Sequence, residues 1–276
     1  MSRQPQRVQL GPQSFLTSGE GEPLLLLHGI PGSAYTWEQA GSLLAEHFRV
    51  IIPDLRGFGQ SEAPVDDYYM EAQAHSLHEL LTGLGIRGLS IGAHDFGGPV
   101  AFTLMRLYPE LDVRAVVVSA TNLFTDTYIP PPLRLAAVPL LGSLLFRAAA
   151  GNRAGLRMMY LAATRNKSAA PWSSFRRHLT SSGISLTRRI FQRSLADLRG
   201  NYEGIERMLP SMTQPALVLW GDRDPFFGRA VGERTHRALR GSSLKVYPET
   251  GHFVPEERPM EVARDIQTFL LSKAPV

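Results

Sequence analysis

The chain has 276 residues, 43% of them hydrophobic, and carries a formal charge of +4 with no cysteine. That size and apolar content support a sizeable core and exclude a disordered chain, while the missing thiols exclude disulfides, thiol catalysis and cysteine-ligated metal. The opening "MSRQPQRVQL" lacks an apolar secretory stretch, and the aliphatic run Leu24–Leu27 is far too short to span a bilayer, so a soluble, cytoplasmic protein is expected.

Taken in chain order, "RVQL" and "QSFLT" predict an opening hairpin and "PLLLLHG" a buried strand. "AYTWEQAGSLLAEHF" predicts a helix, "RVIIPDL" a strand and "YYMEAQAHSLHELLTGLG" a helix. Next come a strand at "GLSIGAH", a helix at "GGPVAFTLMRLYP" and a strand at "VRAVVVSA". Aliphatic strands separated by helices imply parallel βαβ units in a sheet covered on both faces. After Ala120 the alternation stops, and Pro-broken helical segments run to about Met212 behind the stiff Pro130-Pro131-Pro132. "PALVLWGDRD" restores a strand, followed by a helix at "GRAVGERTHRALR", a strand and loop at "SSLKVYPETGHF", and a last helix at "PMEVARDIQTFLLS". The fold class is therefore α/β, a mostly parallel central sheet flanked by helices, with core segments 1–120 and 213–276 and a helical insertion at 121–212. Within that insertion, Arg134 to Arg207 holds 13 Lys/Arg against 3 Asp/Glu. With no nucleic-acid motif beside them, these basic residues read as a solvated helical face.

The chemistry centres on "GAHDFGG", residues 92–98, where Asp95 sits between Ala93 and Gly97 at a predicted strand-to-helix turn. Such an elbow strains its central residue and tolerates only small neighbours. The helix beginning after it turns backbone N–H groups toward Asp95, which favours an ionised carboxylate; an ordinary Asp N-cap would have the same local sequence. Downstream, "WGDRDPFF" offers Asp222 and Asp224 after a predicted strand, and "ETGHFVPEERP" places His252 in a loop after the next one. Upstream, "HGIPGS" ends a strand in a turn whose Ile30 N–H can serve an oxyanion, and "DLRGFGQSE" supplies a further loop.

In these motifs and their order, nucleophile then acid then histidine, the chain resembles α/β-hydrolases of the aspartate-nucleophile branch, epoxide hydrolases and haloalkane dehalogenases. The resemblance runs over residues 8–120 and 213–272 as the core, with the insertion matching the helical cap. It implies Asp95 as nucleophile, His252 as base and Asp224 as its acid, from the pattern of Gly followed three residues later by Asp. Asp222 then remains a loop acid. Some dehalogenases draw the acid from the loop before the cap, but "SATNLF" holds no carboxylate there. The backbone N–H groups of Ile30 and Phe96 would form the oxyanion hole.

An ionised carboxylate suits displacement at a saturated carbon, giving an alkyl ester that water activated by His252 then hydrolyses. Haloalkane dehalogenases cradle the halide with side-chain N–H donors where this chain has Phe96 and Ile30, and fluoroacetate dehalogenases carry an Arg at the Phe96 position. Epoxide hydrolases commonly have the "HGxP" form and use cap tyrosines to protonate the ring oxygen. The resemblance therefore points to a hydrolase of a small hydrophobic epoxide, with Tyr202, Tyr160 and Tyr128 as candidate acids and His178 as a further cap donor. A dehalogenase with the same triad, or a ligand sensor on the same scaffold, are the alternatives. No cofactor, metal, nucleic acid or membrane partner is expected, and a homodimer is left open.

Overall fold

The computed structural model describes residues 4–62, 67–127, 144 and 152–273. Eight strands form one sheet: β1 (Gln6–Leu10), β2 (Gln13–Ser18), β3 (Glu22–Leu27), β4 (Phe48–Pro53), β5 (Gly88–His94), β6 (Asp112–Ser119), β7 (Ala216–Gly221) and β8 (Ser243–Tyr247). Their order is β1-β2-β4-β3-β5-β6-β7-β8. The β1–β2 and β2–β4 pairs are antiparallel, and from β4 to β8 every pair is parallel.

The aliphatic runs explain this arrangement. In β3 the side chains of Leu25 and Leu27 enter one core layer, while Leu24 and Leu26 enter the layer on the opposite face. A strand buried on both faces needs helices on both sides. Helices α1 (Glu38–Leu44), α2 (Met70–Gly83) and α3 (Gly97–Leu107) follow β3, β4 and β5 in the chain. The expected single helix from Ala34 begins instead as a 3₁₀ turn, Ala34–Trp37, before α1. The Trp37 indole N–H donates to Leu27 O at 2.9 Å and the Ala34 N–H to Asp54 Oδ1 at 2.7 Å, two tertiary bonds that hold this entry turn.

Between Ser119 and Ala216 the described residues hold helices and turns: α4 (Arg153–Ala163), α5 (Trp172–Phe175), α6 (Ser181–Ala196) and α7 (Leu198–Met208). After β7 come α8 (Arg229–Ala238), the short α9 (Val254–Glu257) and α10 (Pro259–Leu271). Leu156, Tyr160, Phe175 and Leu179 of the insertion form a small core with Phe253 of the sheet domain. The insertion's arginines engage core groups: Arg177 lies 3.0 Å from Glu38, and Arg189 and Arg193 lie over the rings of Tyr68 and Tyr69. No helix among the described residues is long and apolar enough to cross a membrane.

The strand order reverses direction at β3: the chain first adds β4 on one side, then β5 and its successors on the other. In open α/β sheets the crevice beyond the carboxyl ends of the strands at such a switch point is where ligands bind. Here β3 ends at "HGIP" and β5 ends one residue before Asp95.

Candidate active site

Asp95 has φ +49°, the left-handed region that ordinary residues avoid. The strain is held by tertiary bonds: the Asp95 N–H donates to Ser119 O at 3.1 Å, and its carbonyl accepts from Thr121 Oγ1 at 2.6 Å and from Gly98 N–H at 3.0 Å. The neighbouring glycines make room. A Cβ on Gly97 would lie 2.7 Å from Leu27 O, and one on Gly98 would lie 2.1 Å from Thr121 Oγ1. Phe96 caps α3 and contributes no hydrogen bond to the Asp95 carboxylate among the described contacts.

The "HGIP" turn comes up against Asp95. Ile30 N–H donates to Asp95 Oδ2 at 3.0 Å. This approach requires glycine at position 29, where a Cβ would stand 2.3 Å from Asp95 Cβ and 2.6 Å from Oδ2. Gly29→Ala is expected to displace the carboxylate and lower kcat about 100-fold with KM little changed, since misplacing a reacting group by ~1 Å costs that much. Steady-state kinetics on the folded variant test this. His28 holds the turn from behind: its Nε2 accepts the Leu55 N–H at 3.0 Å and its Nδ1 donates to Gly29 O at 2.7 Å. Asp54, fully buried, takes N–H bonds from Ala34 and Gln60 and a guanidinium bond from Arg7 at 2.5 Å. It organises the "DLRGFGQSE" loop and stands apart from the reacting groups.

His252 stands between two carboxylates. Its Nε2 is 3.4 Å from Asp95 Oδ1, and its Nδ1 is 3.0 Å from Asp224 Oδ2. The other oxygen of Asp224 accepts the N–H groups of Phe226 and Phe227 at 2.8 and 3.1 Å, which orients the acid. Asp222 accepts from the Thr250 N–H at 3.3 Å and faces the loop. The histidine loop is fastened to the insertion: His252 N–H donates to Ala163 O at 2.9 Å. Glu257 accepts N–H bonds from Arg165, Asn166 and Gly251 on a single oxygen.

Burial would push the imidazolium down, but the Asp224 and Asp95 carboxylates outweigh it and raise the His252 pKa to about 10. Burial would likewise raise Asp95, yet the hydrogen bond and charge of His252, with the Ile30 N–H, hold its carboxyl below the ordinary range. In the free protein this is an ion pair, with an ionised carboxylate facing outward.

What Asp95 faces is a cavity of about 100 Å3. Its walls are mostly apolar, with Phe191, Phe226, Phe227, Phe253 and Met159 among them. Its polar groups are Asp95, His252, Asn122, Thr127, Ser194 and Tyr202. Tyr202 is buried, and burial, with Tyr69 and Asp95 nearby, raises its hydroxyl above the ordinary phenol range. Tyr160 is not brought to this cavity. It stacks on Phe175 at 3.8 Å and donates its hydroxyl to Ala170 O at 2.8 Å, so it is a packing residue of the insertion. Tyr128 lies outside the described residues. His178 bonds Ser33 Oγ at 2.8 Å and joins the insertion to the core away from the cavity.

Sequence reasoning passed over Ser194, Asn122 and Thr127. Phe191, Ser194 and Leu195 recur at the i, i+3, i+4 spacing of one face of α6, a signal that could have found Ser194. Among the described residues no group of three or more His, Asp or Glu is placed to hold a metal ion.

A family model described as the alpha/beta hydrolase fold matches residues 22–259. The chain belongs to the α/β-hydrolase fold family. This α/β-hydrolase is 29% identical to a soluble epoxide hydrolase of Corynebacterium sp. (strain C12), over 95% of this chain and 93% of that protein. It is 27% identical to the cis-3-alkyl-4-alkyloxetan-2-one decarboxylase of Xanthomonas campestris, over 96% of this chain and 95% of that one. The haloalkane dehalogenase DbeA from Bradyrhizobium elkani superposes with a TM-score of 0.82 at 21% identity, covering 98% of both chains, which is a likeness of fold. Relatives of this kind make the protein an α/β-hydrolase enzyme, similar to epoxide hydrolases.

Proposed function

We propose that this α/β-hydrolase opens a small hydrophobic epoxide to a diol through an alkyl ester on Asp95. One observation carries the reading: Asp95, held by Ile30 N–H and His252, faces an apolar cavity whose lining includes a protonated tyrosine hydroxyl, Tyr202.

An Asp95 oxygen attacks a ring carbon, the carbon–oxygen bond breaks, and the ring oxygen takes a proton from Tyr202. Ester formation then removes the negative charge beside His252. One of the two carboxylates that raise its pKa is gone, so the imidazolium gives its proton to solvent and becomes a base, to be reprotonated from solvent once the Asp95 carboxylate is free again. Water delivers its oxygen to the ester carbonyl and a proton to His252, which Asp224 keeps oriented. The developing oxyanion sits where Ile30 N–H already reaches the carboxylate, with the Phe96 N–H as the second donor. Collapse releases the diol, which takes its proton from His252. The proton left on the Asp95 carboxyl restores Tyr202.

A halide would meet the phenyl of Phe96 and the sec-butyl of Ile30 at the places where donors are needed, and Asn122 spends one amide N–H on Phe124 O at 3.0 Å. Diol formation from styrene oxide against halide release from bromoalkanes separates the readings: diol is expected, and halide release without diol would sink the proposal. The relative named for an oxetan-2-one substrate makes that strained ring a sensible third member of the panel.

The two half-reactions should differ in pH dependence. Attack requires ionised Asp95, whose pKa is depressed, so its rate should persist to a pH below the ordinary carboxylate range. Hydrolysis requires neutral His252, so it should slow at a higher pH as the medium acidifies. Rapid-quench measurement of adduct formation and decay across pH checks both; coincident acid limbs would contradict the assignment.

A further inference from the structure

Ser194 lies on the cavity wall beside Tyr202, on the last turn of α6. Its hydroxyl is 2.8 Å from that of Tyr69, a residue of the sheet domain just before α2. Tyr69 is buried, does not line the cavity, and packs its ring on Phe96, the neighbour of the nucleophile, at a centroid distance of 5.9 Å. On its other side the Arg193 guanidinium lies 4.3 Å from the ring centre. Tyr202 also interacts through its hydroxyl with Ser194 and Asn122. Three hydroxyls therefore run from the cavity into the core: Tyr202, Ser194 and Tyr69.

This arrangement has a chemical use. A hydroxyl that carries one proton and two lone pairs can accept from one neighbour while donating to another. With Tyr69 donating to Ser194, the serine proton is turned away from Tyr69 and toward the cavity or the Tyr202 oxygen. A lone serine on a helix would return its proton to the carbonyl four residues back. Among the described hydrogen bonds the Ser194 hydroxyl meets Tyr69 and not that carbonyl, so its proton is left for the cavity side when Tyr69 donates.

We propose that the leaving oxygen is received by two hydroxyls, Tyr202 and Ser194, and that Tyr69 is the positioning residue that aims Ser194. The proposal rests on the epoxide reading given above. As the ring carbon–oxygen bond breaks, its electron pair stays on the oxygen, which takes the Tyr202 proton and accepts a hydrogen bond from Ser194. The Tyr202 phenolate left behind then accepts from Ser194 in turn, with Tyr69 supporting the serine. No proton is gained or lost by Ser194 or Tyr69 over the cycle. The function of the pair is confined to ring opening, because hydrolysis of the ester occurs on the His252 side of the site.

The test is single-turnover kinetics with styrene oxide, following the alkyl-enzyme by intact mass, for the wild type, Ser194→Ala, Ser194→Thr and Tyr69→Phe. Ser194→Ala should slow adduct formation about tenfold or more, the scale of a lost donor to developing charge, while adduct decay stays within about twofold. Tyr69→Phe should act in the same direction on formation alone, and Ser194→Thr, which keeps the hydroxyl, should recover most of the rate. Adduct formation in Ser194→Ala at the wild-type rate would overturn the proposal, and so would equal slowing of both steps. A wild type that forms neither adduct nor diol would instead defeat the epoxide reading on which the proposal stands.

Discussion

His252→Gln is expected to halt the protein after one event per chain, leaving Asp95 alkylated. Attack needs only the ionised Asp95 and a protonated acid, whereas hydrolysis needs the base that stands 3.4 Å from Asp95 Oδ1, and glutamine supplies none. The adduct should carry the full mass of the epoxide, because ring opening adds the substrate without expelling an atom. A haloalkane would leave only its alkyl portion. Removing His252 also removes the charge and hydrogen bond that hold Asp95 low, so burial then dominates and the Asp95 pKa rises. Adduct formation in the variant should therefore fade at a higher pH than in the wild type. Intact-mass analysis followed by peptide mapping to residues 92–98 checks the site. Continued multiple turnover would remove His252 from its assigned role.

Asp95→Ala should abolish turnover, with a loss of about 10⁴-fold or more, because no other described carboxylate faces the cavity to take its place. The fold should survive. Alanine tolerates positive φ less well than aspartate, so a cost of roughly 1 kcal/mol is expected at φ +49°. The backbone bonds to Ser119, Thr121 and Gly98 do not depend on the side chain. For a chain of this length that cost lowers Tm by about 2–4 °C. Kinetics and thermal unfolding on the same preparation separate lost chemistry from lost structure.

The elbow was legible because its chemistry is local. Only small residues fit beside a positive-φ centre, and the clash a Gly97 side chain would make with Leu27 O expresses that limit in atoms. The parallel sheet followed from aliphatic runs separated by helices, since β3, β4 and β6 are buried on both faces. Asp224 was preferred to Asp222 on the family resemblance, and their surroundings differ: the Asp224 carboxylate meets His252 and Asp222 a loop N–H. The cap was another matter. Tyr160 and Tyr202 are both buried aromatic residues on amphipathic helices, and which one reaches the cavity depends on how those helices pack. Tyr160 is claimed by Phe175, Phe253 and Ala170 O, none of which its neighbours in sequence announce. Helical spacing puts Ser194 on a face with Phe191 and Leu195, but what that face meets is not written in the spacing. The serine's partner Tyr69 is 125 positions away.

The central claim is that the oxygen entering the product comes from Asp95 rather than directly from water. A single turnover in heavy-oxygen water, with enzyme in excess over styrene oxide, tests it. The ester route predicts an unlabelled diol in that first turnover and heavy oxygen incorporated into the Asp95 carboxylate. Labelled diol from the first turnover, with Asp95 unlabelled, would mean that water attacks the ring itself and would contradict the account.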